Sequence, residues 1–141
     1  MGFNFAVKLT HADLDLTTNS TAQTLELMDL AAGDVVLDCA VRVKTAFKDS
    51  ADAAFNTLGI EVGDGGDVDR YLASQEVNEN GTEVLTKVGT GTRLAYNAAD
   101  TVDIVVTPTS GKNVAALTTG ELMVYLRVAK LADLTKAGYR A

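Results

Sequence analysis

The single histidine of the chain lies close to two carboxylates, in a pattern that could hold a metal ion. If residues 10–16 are extended, His11, Asp13 and Asp15 share one face of the segment. An imidazole with two carboxylates can ligate a divalent cation. With one His and one Cys in the whole sequence, no second histidine or second cysteine can complete such a site. A solvated polar segment is therefore the favoured interpretation.

A second acidic cluster surrounds two adjacent glycines. Asp64, Asp67 and Asp69 flank Gly65 and Gly66, and carboxylates beside a glycine turn are ingredients of a calcium loop. An EF-hand, however, needs alternating carboxylates, a bidentate Glu at the end of the loop and two flanking helices. The spacing here departs from that pattern, so it predicts a glycine-rich turn between strands. These three aspartates are the only candidates for a structural Ca²⁺ site, and otherwise we expect no metal and no cofactor.

Two further motifs carry little chemistry. Gly89-Thr90-Gly91 lacks the third glycine, the following helix and the lysine of a phosphate-binding loop, so a bulge or tight hairpin is favoured. Cys39 alternates in phase with its apolar neighbours, which predicts a buried thiol. Nucleophilic catalysis by a cysteine or serine would depend on His11 alone. Since carbohydrate enzymes usually add aromatic platforms and this chain has no Trp and 6% aromatics, we predict that the protein is not an enzyme.

Composition and length fit one globular domain. The chain has 141 residues, 47% hydrophobic and 22% charged, which is too apolar for disorder. No apolar run approaches the roughly 18 residues of a membrane span, and residues 1–5 lack the features of a signal peptide. One cysteine allows no internal disulfide. We therefore expect synthesis in a reducing host cytoplasm and no membrane partner.

The negative charge of the chain is unevenly distributed. The net charge is −7, and the nine acidic residues between Asp49 and Glu83 are accompanied by one base, Arg70. Such a surface repels phosphate backbones, so we expect no nucleic-acid partner. The stretch is either a solvated, solubilising surface or an outward-facing or cation-binding one.

Alternating hydrophobicity runs through most of the sequence and predicts antiparallel strands with one wet face. The pattern gives about eight strands at short spacing, which favours a sandwich or barrel. Pro108 should end the strand that precedes it. The two strongest runs contain Val35, Leu37, Cys39, Val41 and Val43, and then Leu122, Val124, Leu126 and Val128.

The sequence divides into an N-terminal strand or arm (residues 1–20), a β-sandwich domain (residues 21–131) and a C-terminal tail (residues 132–141). In the N-terminal part, Phe3, Phe5, Val7 and Leu9 alternate weakly with other residues. They are the candidate partner-binding residues, because an extended arm could add a strand to a neighbouring subunit.

The order of segments over residues 20–130 resembles the head decoration, or capsid cement, proteins of tailed bacteriophages. The resemblance rests on TLEL (24–27), AAGDVVLDCAVRV (31–43), LGIEVGDG (58–65), DVDRYL (67–72), YNAADTVD (96–103) and LTTGELMVYL (117–126). It implies an all-β, jelly-roll-like antiparallel β-sandwich, often trimeric. It also implies that the protein lies on the virion exterior, binds the major capsid protein and reinforces contacts between capsid subunits. Three identical contacts around a local threefold would make weak single contacts tight.

Two alternatives stay open. A glycan-binding or fibre/tail accessory module could use the same sandwich, with Tyr71, Tyr96, Tyr125 and Tyr139 as its aromatic candidates. Another structural role in the virion, in the tail or neck, would carry the same sequence features.

Overall fold

The described residues form a β-sandwich of eight strands. The computed structural model describes residues 2–78, 85–88 and 95–136. The strands are β1 (Phe5–Thr10), β2 (Gln23–Leu30), β3 (Val35–Lys48), β4 (Leu58–Asp64), β5 (Asp67–Glu76), β6 (Leu85–Val88), β7 (Asp100–Pro108) and β8 (Thr119–Ala129). Short 3₁₀ turns at His11–Asp13 and Val114–Ala116, and a helix α1 at Leu131–Lys136, complete the described elements.

Two antiparallel sheets form the sandwich, and their strand orders define the topology. Sheet I has the order β1-β8-β3-β6, and sheet II has the order β2-β7-β4-β5. The first four strands thus pair with the last four in reverse order, β1 with β8, β2 with β7, β3 with β6 and β4 with β5. This wrapped double Greek key is the jelly roll, so the predicted fold class is confirmed.

The core lies between the two sheets and is built from their inward residues. The predicted phase of β8 is confirmed, because Leu122, Val124 and Leu126 are 0% exposed. Pro108 is the last residue of β7, as predicted from its missing N–H donor. The largest fully buried side chains come from both sheets and are Phe47, Leu58, Ile60, Ile104, Leu122 and Leu126.

The start of β3 departs from the predicted alternation. Val36 is 1% exposed, whereas Val35 and Leu37 are half-buried. The register against β8 shifts between Val36 and Asp38, and a bulge of this kind inserts one residue and reverses the phase of the alternation. The prediction that Val35 and Leu37 face the core was therefore wrong, while Cys39 is buried as predicted.

Both ends of the described chain pack onto the sandwich. Residues 5–10 form the edge strand of sheet I, so the segment is a strand of the sandwich and not a projecting arm. The C-terminal segment, expected to be a tail, begins as helix α1, whose Leu131 lies against Gly33. No helix within the described residues is long and apolar enough to span a membrane.

Candidate functional site

The β4–β5 turn holds the most extensive buried polar cluster in the described chain, and it is centred on Asp64. The Asp64 side chain is 2% exposed. Its Oδ1 accepts hydrogen bonds from the backbone N–H groups of Gly66 (3.0 Å) and Asp67 (2.9 Å). Gly63 precedes it because a Cβ there would lie 2.1 Å from the carbonyl oxygen of Asp67. The glycine-rich turn was predicted from the sequence, and the buried carboxylate inside it was not.

The second carboxylate oxygen of Asp64 accepts from two side chains. Arg70 Nε and the Tyr96 hydroxyl each lie 2.6 Å from Oδ2. The Tyr96 hydroxyl donates to Asp64, so its oxygen accepts from the hydroxyl of Tyr71, which is in hydrogen-bond contact with it. Burial raises the pKa of Asp64, but the hydrogen bonds from Tyr96 and Arg70 outweigh it, and the pKa lies below its usual value.

The tyrosine hydroxyls of this cluster stay protonated. Burial, together with the hydrogen bonds to Asp64 and Tyr71, raises the pKa of Tyr96. Burial also raises the pKa of Tyr71. The Tyr96 backbone adds two further bonds, donating to the carbonyl of Asp34 (3.0 Å) and accepting from the N–H of Gly33 (2.6 Å). The cluster therefore joins the β4–β5 turn, the segment before β7 and the β2–β3 turn.

The predicted calcium candidates do not come together as a ligand set. Asp64 turns inward to Arg70, whose guanidinium already neutralises it. Asp67 and Asp69 lie on β5 and face each other closely enough that Asp67 raises the pKa of Asp69. Residues 2–78, 85–88 and 95–136 contain no group of three or more His, Cys, Asp or Glu residues that could hold a metal ion.

Two small pockets lie at opposite ends of the sandwich. One, of about 220 Å³, adjoins the Asp64 cluster and is lined by Arg70, Tyr96 and Asp100 among others. The other, of about 310 Å³, lies beside the end of β3, where Asn78 Nδ2 donates to the carbonyl of Phe47 (2.8 Å). The buried polar groups at both pockets already have protein partners. We interpret these polar groups as residues that hold the neighbouring loops in place.

The other predicted chemistry-bearing residues have local structural partners. Asp13 accepts from the Thr10 N–H (2.7 Å), and Asp15 accepts from Gln23 Nε2 (2.8 Å). His11 begins the 3₁₀ turn that ends at Asp13. Burial, with a contribution from Asp38, raises the pKa of Cys39 to about 12. Its thiol is therefore protonated and unreactive at neutral pH.

The candidate partner-binding residues of the N-terminus divide between the core and the surface. Leu9 is 3% exposed in the core, and Phe5 and Val7 are half-buried on the same inward side of β1. Phe3 is 43% exposed, with its ring centroid 5.9 Å from that of Tyr125. Of the four, Phe3 is the one that the structure leaves most accessible to a partner.

Asn4 fixes the N-terminus to sheet I. Its Nδ2 donates to the Val128 carbonyl (2.8 Å), and its Oδ1 accepts from the Val128 N–H (2.9 Å). The side chain thereby completes the ladder where β1 begins, which holds Phe3 against the sheet.

The four tyrosines proposed for a glycan site are not gathered on one surface. Tyr71 and Tyr96 are buried, at 3% and 7% exposed, with their hydroxyls engaged in the Asp64 cluster. Tyr125 lies on the outer face of sheet I. Tyr139 lies outside the described residues.

The outer faces of the two sheets carry opposite charge. Along β1, β3 and β8, the outer face of sheet I exposes four bases and two acids around apolar side chains. On the outer face of sheet II, β2, β4 and β7 contribute four acids and no described base. The charged residues of the first face are Lys8, Asp38, Arg42, Lys44, Glu121 and Arg127, and those of the second are Glu26, Asp29, Glu61 and Asp103.

Comparison with solved structures places the fold among phage capsid chains. A chain of the cyanophage Pam1 capsid asymmetric unit matches with a TM-score of 0.59 and 16% sequence identity, over 91% of this chain and 85% of that one. A chain of the acidic stable capsid structure of Helicobacter pylori bacteriophage KHP30 matches with a TM-score of 0.48 and 11% identity, over 89% and 87%. No protein-family model and no curated protein sequence matches the chain. The Pam1 likeness shows that the two chains share the jelly-roll fold.

Sequence reasoning missed Arg70 and Tyr96 as partners of Asp64, and it missed the charge difference between the two faces. One signal for the first was present, because Arg70 is the only base among nine acids. The charge difference between the two faces depends on the pairing of strands that are far apart in sequence. The alternation of apolar and polar residues does not specify that pairing.

Proposed function

We propose that this protein is a non-enzymatic structural component of a tailed-phage virion, which binds the outside of the capsid and reinforces contacts between major capsid proteins. The observation that carries the proposal is the likeness to a capsid chain of cyanophage Pam1 over 91% of the sequence. The resemblance of residues 20–130 to decoration proteins supports the exterior position and a homotrimer on a local threefold.

The physical character of the chain fits this role. A capsid clamp needs a rigid fold, and here the two sheets share one continuous core. It needs no active site, and the polar groups that line the two described pockets serve the fold. An acidic outer sheet is also compatible with a position away from the packaged genome, because it repels phosphate.

The glycan-binding alternative loses support from the positions of its candidate residues. Two of the four aromatic side chains are buried and hydrogen-bonded within the core. A sugar platform would need accessible rings.

The proposal is tested on purified virions. We expect mass spectrometry to detect the chain in intact particles, and an antibody against it to label the outside of filled heads. Heads from a phage that lacks the gene should lose DNA at a lower temperature than wild-type heads, and purified protein should restore the difference. Absence of the chain from particles contradicts the virion role, whereas labelling of the tail alone contradicts the capsid position.

A further inference from the structure

The outer face of sheet I contains charged groups that have no acceptor among the described residues. Arg42 is exposed and has no ion pair within the described residues. Arg127 lies opposite Asp38 in the β3–β8 ladder, but Asp38 accepts from the N–H of Cys39 instead (2.9 Å). Nε of Arg127 is buried with no hydrogen-bond partner in the described part of the chain. A buried donor without an acceptor is costly. Because Nε is closed to solvent, a partner would contact Arg42 and the exposed part of the Arg127 side chain.

The centre of the same face carries apolar side chains, of which Met123 and Tyr125 are half-buried and Ala40 is buried. Tyr125 and Met123 on β8 stand opposite Ala40 and Arg42 on β3, and Phe3 extends the aromatic surface at one side. Tyr, Met and Arg are the residue types enriched in the centres of protein interfaces. Strands spaced about 4.8 Å apart, with about 3.3 Å per residue, give the outer face of β1, β3 and β8 an area of about 490 Å², somewhat more than half of the roughly 800 Å² that each partner buries in a standard interface.

We propose that the outer face of sheet I is the docking face of the protein, and that its occupant is a surface of the capsid shell protein bearing carboxylates around an apolar patch. This inference rests on the proposed function and specifies which side of the molecule meets the shell. Charge complementarity selects the partner chemistry, because Arg42 and Arg127 require acidic acceptors. The same acidic surface would repel Glu26, Glu61 and Asp103 on the outer face of sheet II.

A protein occupant fits this face better than a nucleic acid. Asp38 and Glu121 interrupt the positive charge on the face itself, and Glu121 pairs with Lys44 at 2.9 Å. These acids reduce the positive charge on which binding of a phosphate backbone depends. A protein surface would in addition cover the apolar side chains of Met123 and Tyr125.

The decisive experiment measures binding of the purified chain to heads prepared from a phage that lacks its gene. Arg42→Glu should weaken co-sedimentation at least about tenfold, and Tyr125→Ala about 30-fold, since central aromatic and arginine anchors dominate interface energies. The matched control is the double variant Thr24→Asp/Thr107→Asp, which places the same two negative charge units on exposed positions of sheet II. The control should bind as the wild type does. Thermal melting of each variant verifies folding.

Each outcome decides one point. Loss of binding in Arg42→Glu with retention in the control supports the docking face. Equal binding of both variants overturns the docking face and leaves the proposed function intact. Failure of the wild-type chain to bind heads overturns the proposed function itself. If light scattering shows that Arg42→Glu dissociates an oligomer of the free chain, the face is occupied by a second copy, and docking to the shell through it is refuted.

Discussion

At the β4–β5 turn both oxygens of Asp64 meet donors from the same chain, whereas on the outer face of sheet I Arg42 and Nε of Arg127 have no acceptor in the described residues. The first region pairs its buried polar groups internally, which contributes to the stability of the fold. The second leaves Arg42 and Nε of Arg127 without an acceptor among the described residues, at a surface that also carries aromatic rings. The difference separates stability from binding: removal of Asp64 or of its donors should lower the stability of the fold, whereas substitution of Arg42 should change stability little.

The largest effect should come from removing the charge at the centre of the cluster. Asp64→Asn leaves the guanidinium of Arg70 without its counter-charge and puts an amide where two N–H groups and a hydroxyl donate. Breaking a buried ion pair costs about 3 kcal/mol or more. Because Arg70 is partly exposed, we expect a loss of about 3 kcal/mol in the free energy of unfolding. Urea unfolding at pH 7 measures it.

The neighbouring Asp67→Asn is the control for that substitution. Its backbone N–H still donates to Asp64, and the change removes the like charge beside Asp69. We expect a change within about 0.5 kcal/mol, as for ordinary surface sites. Equal losses in the two variants would mean that the turn tolerates no amide at all, and the assignment of Asp64 as the centre would be wrong.

A smaller loss is expected when the cluster keeps its charge but loses one donor. Tyr96→Phe removes the hydroxyl that donates to Asp64 and leaves the Tyr71 hydroxyl without its acceptor. A hydrogen bond to a charged group contributes about 2 kcal/mol, and we expect that loss in the free energy of unfolding. The double variant Tyr71→Phe/Tyr96→Phe should lose little more than the single one, because the two hydroxyls act in one chain of hydrogen bonds. Additive losses would refute that coupling.

Acid should act selectively on the cluster. Burial raises the pKa of both Asp34 and Asp64, but hydrogen bonds outweigh it, and both pKa values lie below the usual value. A carboxyl with a lower pKa in the folded state contributes stability that is present above its unfolded pKa of about 3.9 and lost as the pH falls through the folded value. The wild type should therefore lose stability as the pH falls below about 4.

Asp64→Asn should lose less stability than the wild type as the pH falls, because the carboxyl of Asp64 is gone. The raised pKa of Asp69 acts in the opposite direction, and its exposure makes that effect small. Denaturant unfolding at a series of pH values gives the two curves. Parallel curves would show that the acid sensitivity lies outside Asp64.

The alternation of apolar and polar residues predicted much of the fold. Where the structure differs from the prediction, the difference has a local physical cause. The alternation of Leu122, Val124 and Leu126 predicts the inward face of β8 correctly, because that strand is paired on both sides and runs through the core. Val35 and Leu37 were assigned wrongly because a bulge reverses the phase near Val36. A bulge depends on the partner strand, which lies some 90 residues away in sequence.

The Asp64 cluster was only partly visible in the sequence for the same reason. The aspartate and its glycine turn are local, and a turn was predicted there. Tyr96, however, is separated from Asp64 by 32 residues, and nothing in the sequence between them sets that contact. The pairing of the first four strands with the last four brings it about.

The smallest expected change in unfolding free energy concerns the outer face of sheet I. Arg42 is exposed, and within the described chain it has neither an ion pair nor a hydrogen-bonded side-chain partner, so Arg42→Glu should shift the free energy of unfolding by less than about 0.5 kcal/mol. Lys44→Glu is its contrast on the same strand, because it breaks the pair with Glu121 and opposes two like charges. That variant should lose more stability than Arg42→Glu does. A large loss of unfolding free energy in Arg42→Glu would show that the Arg42 guanidinium stabilises the fold. The proposed difference between the Asp64 cluster and the outer face of sheet I would then be wrong.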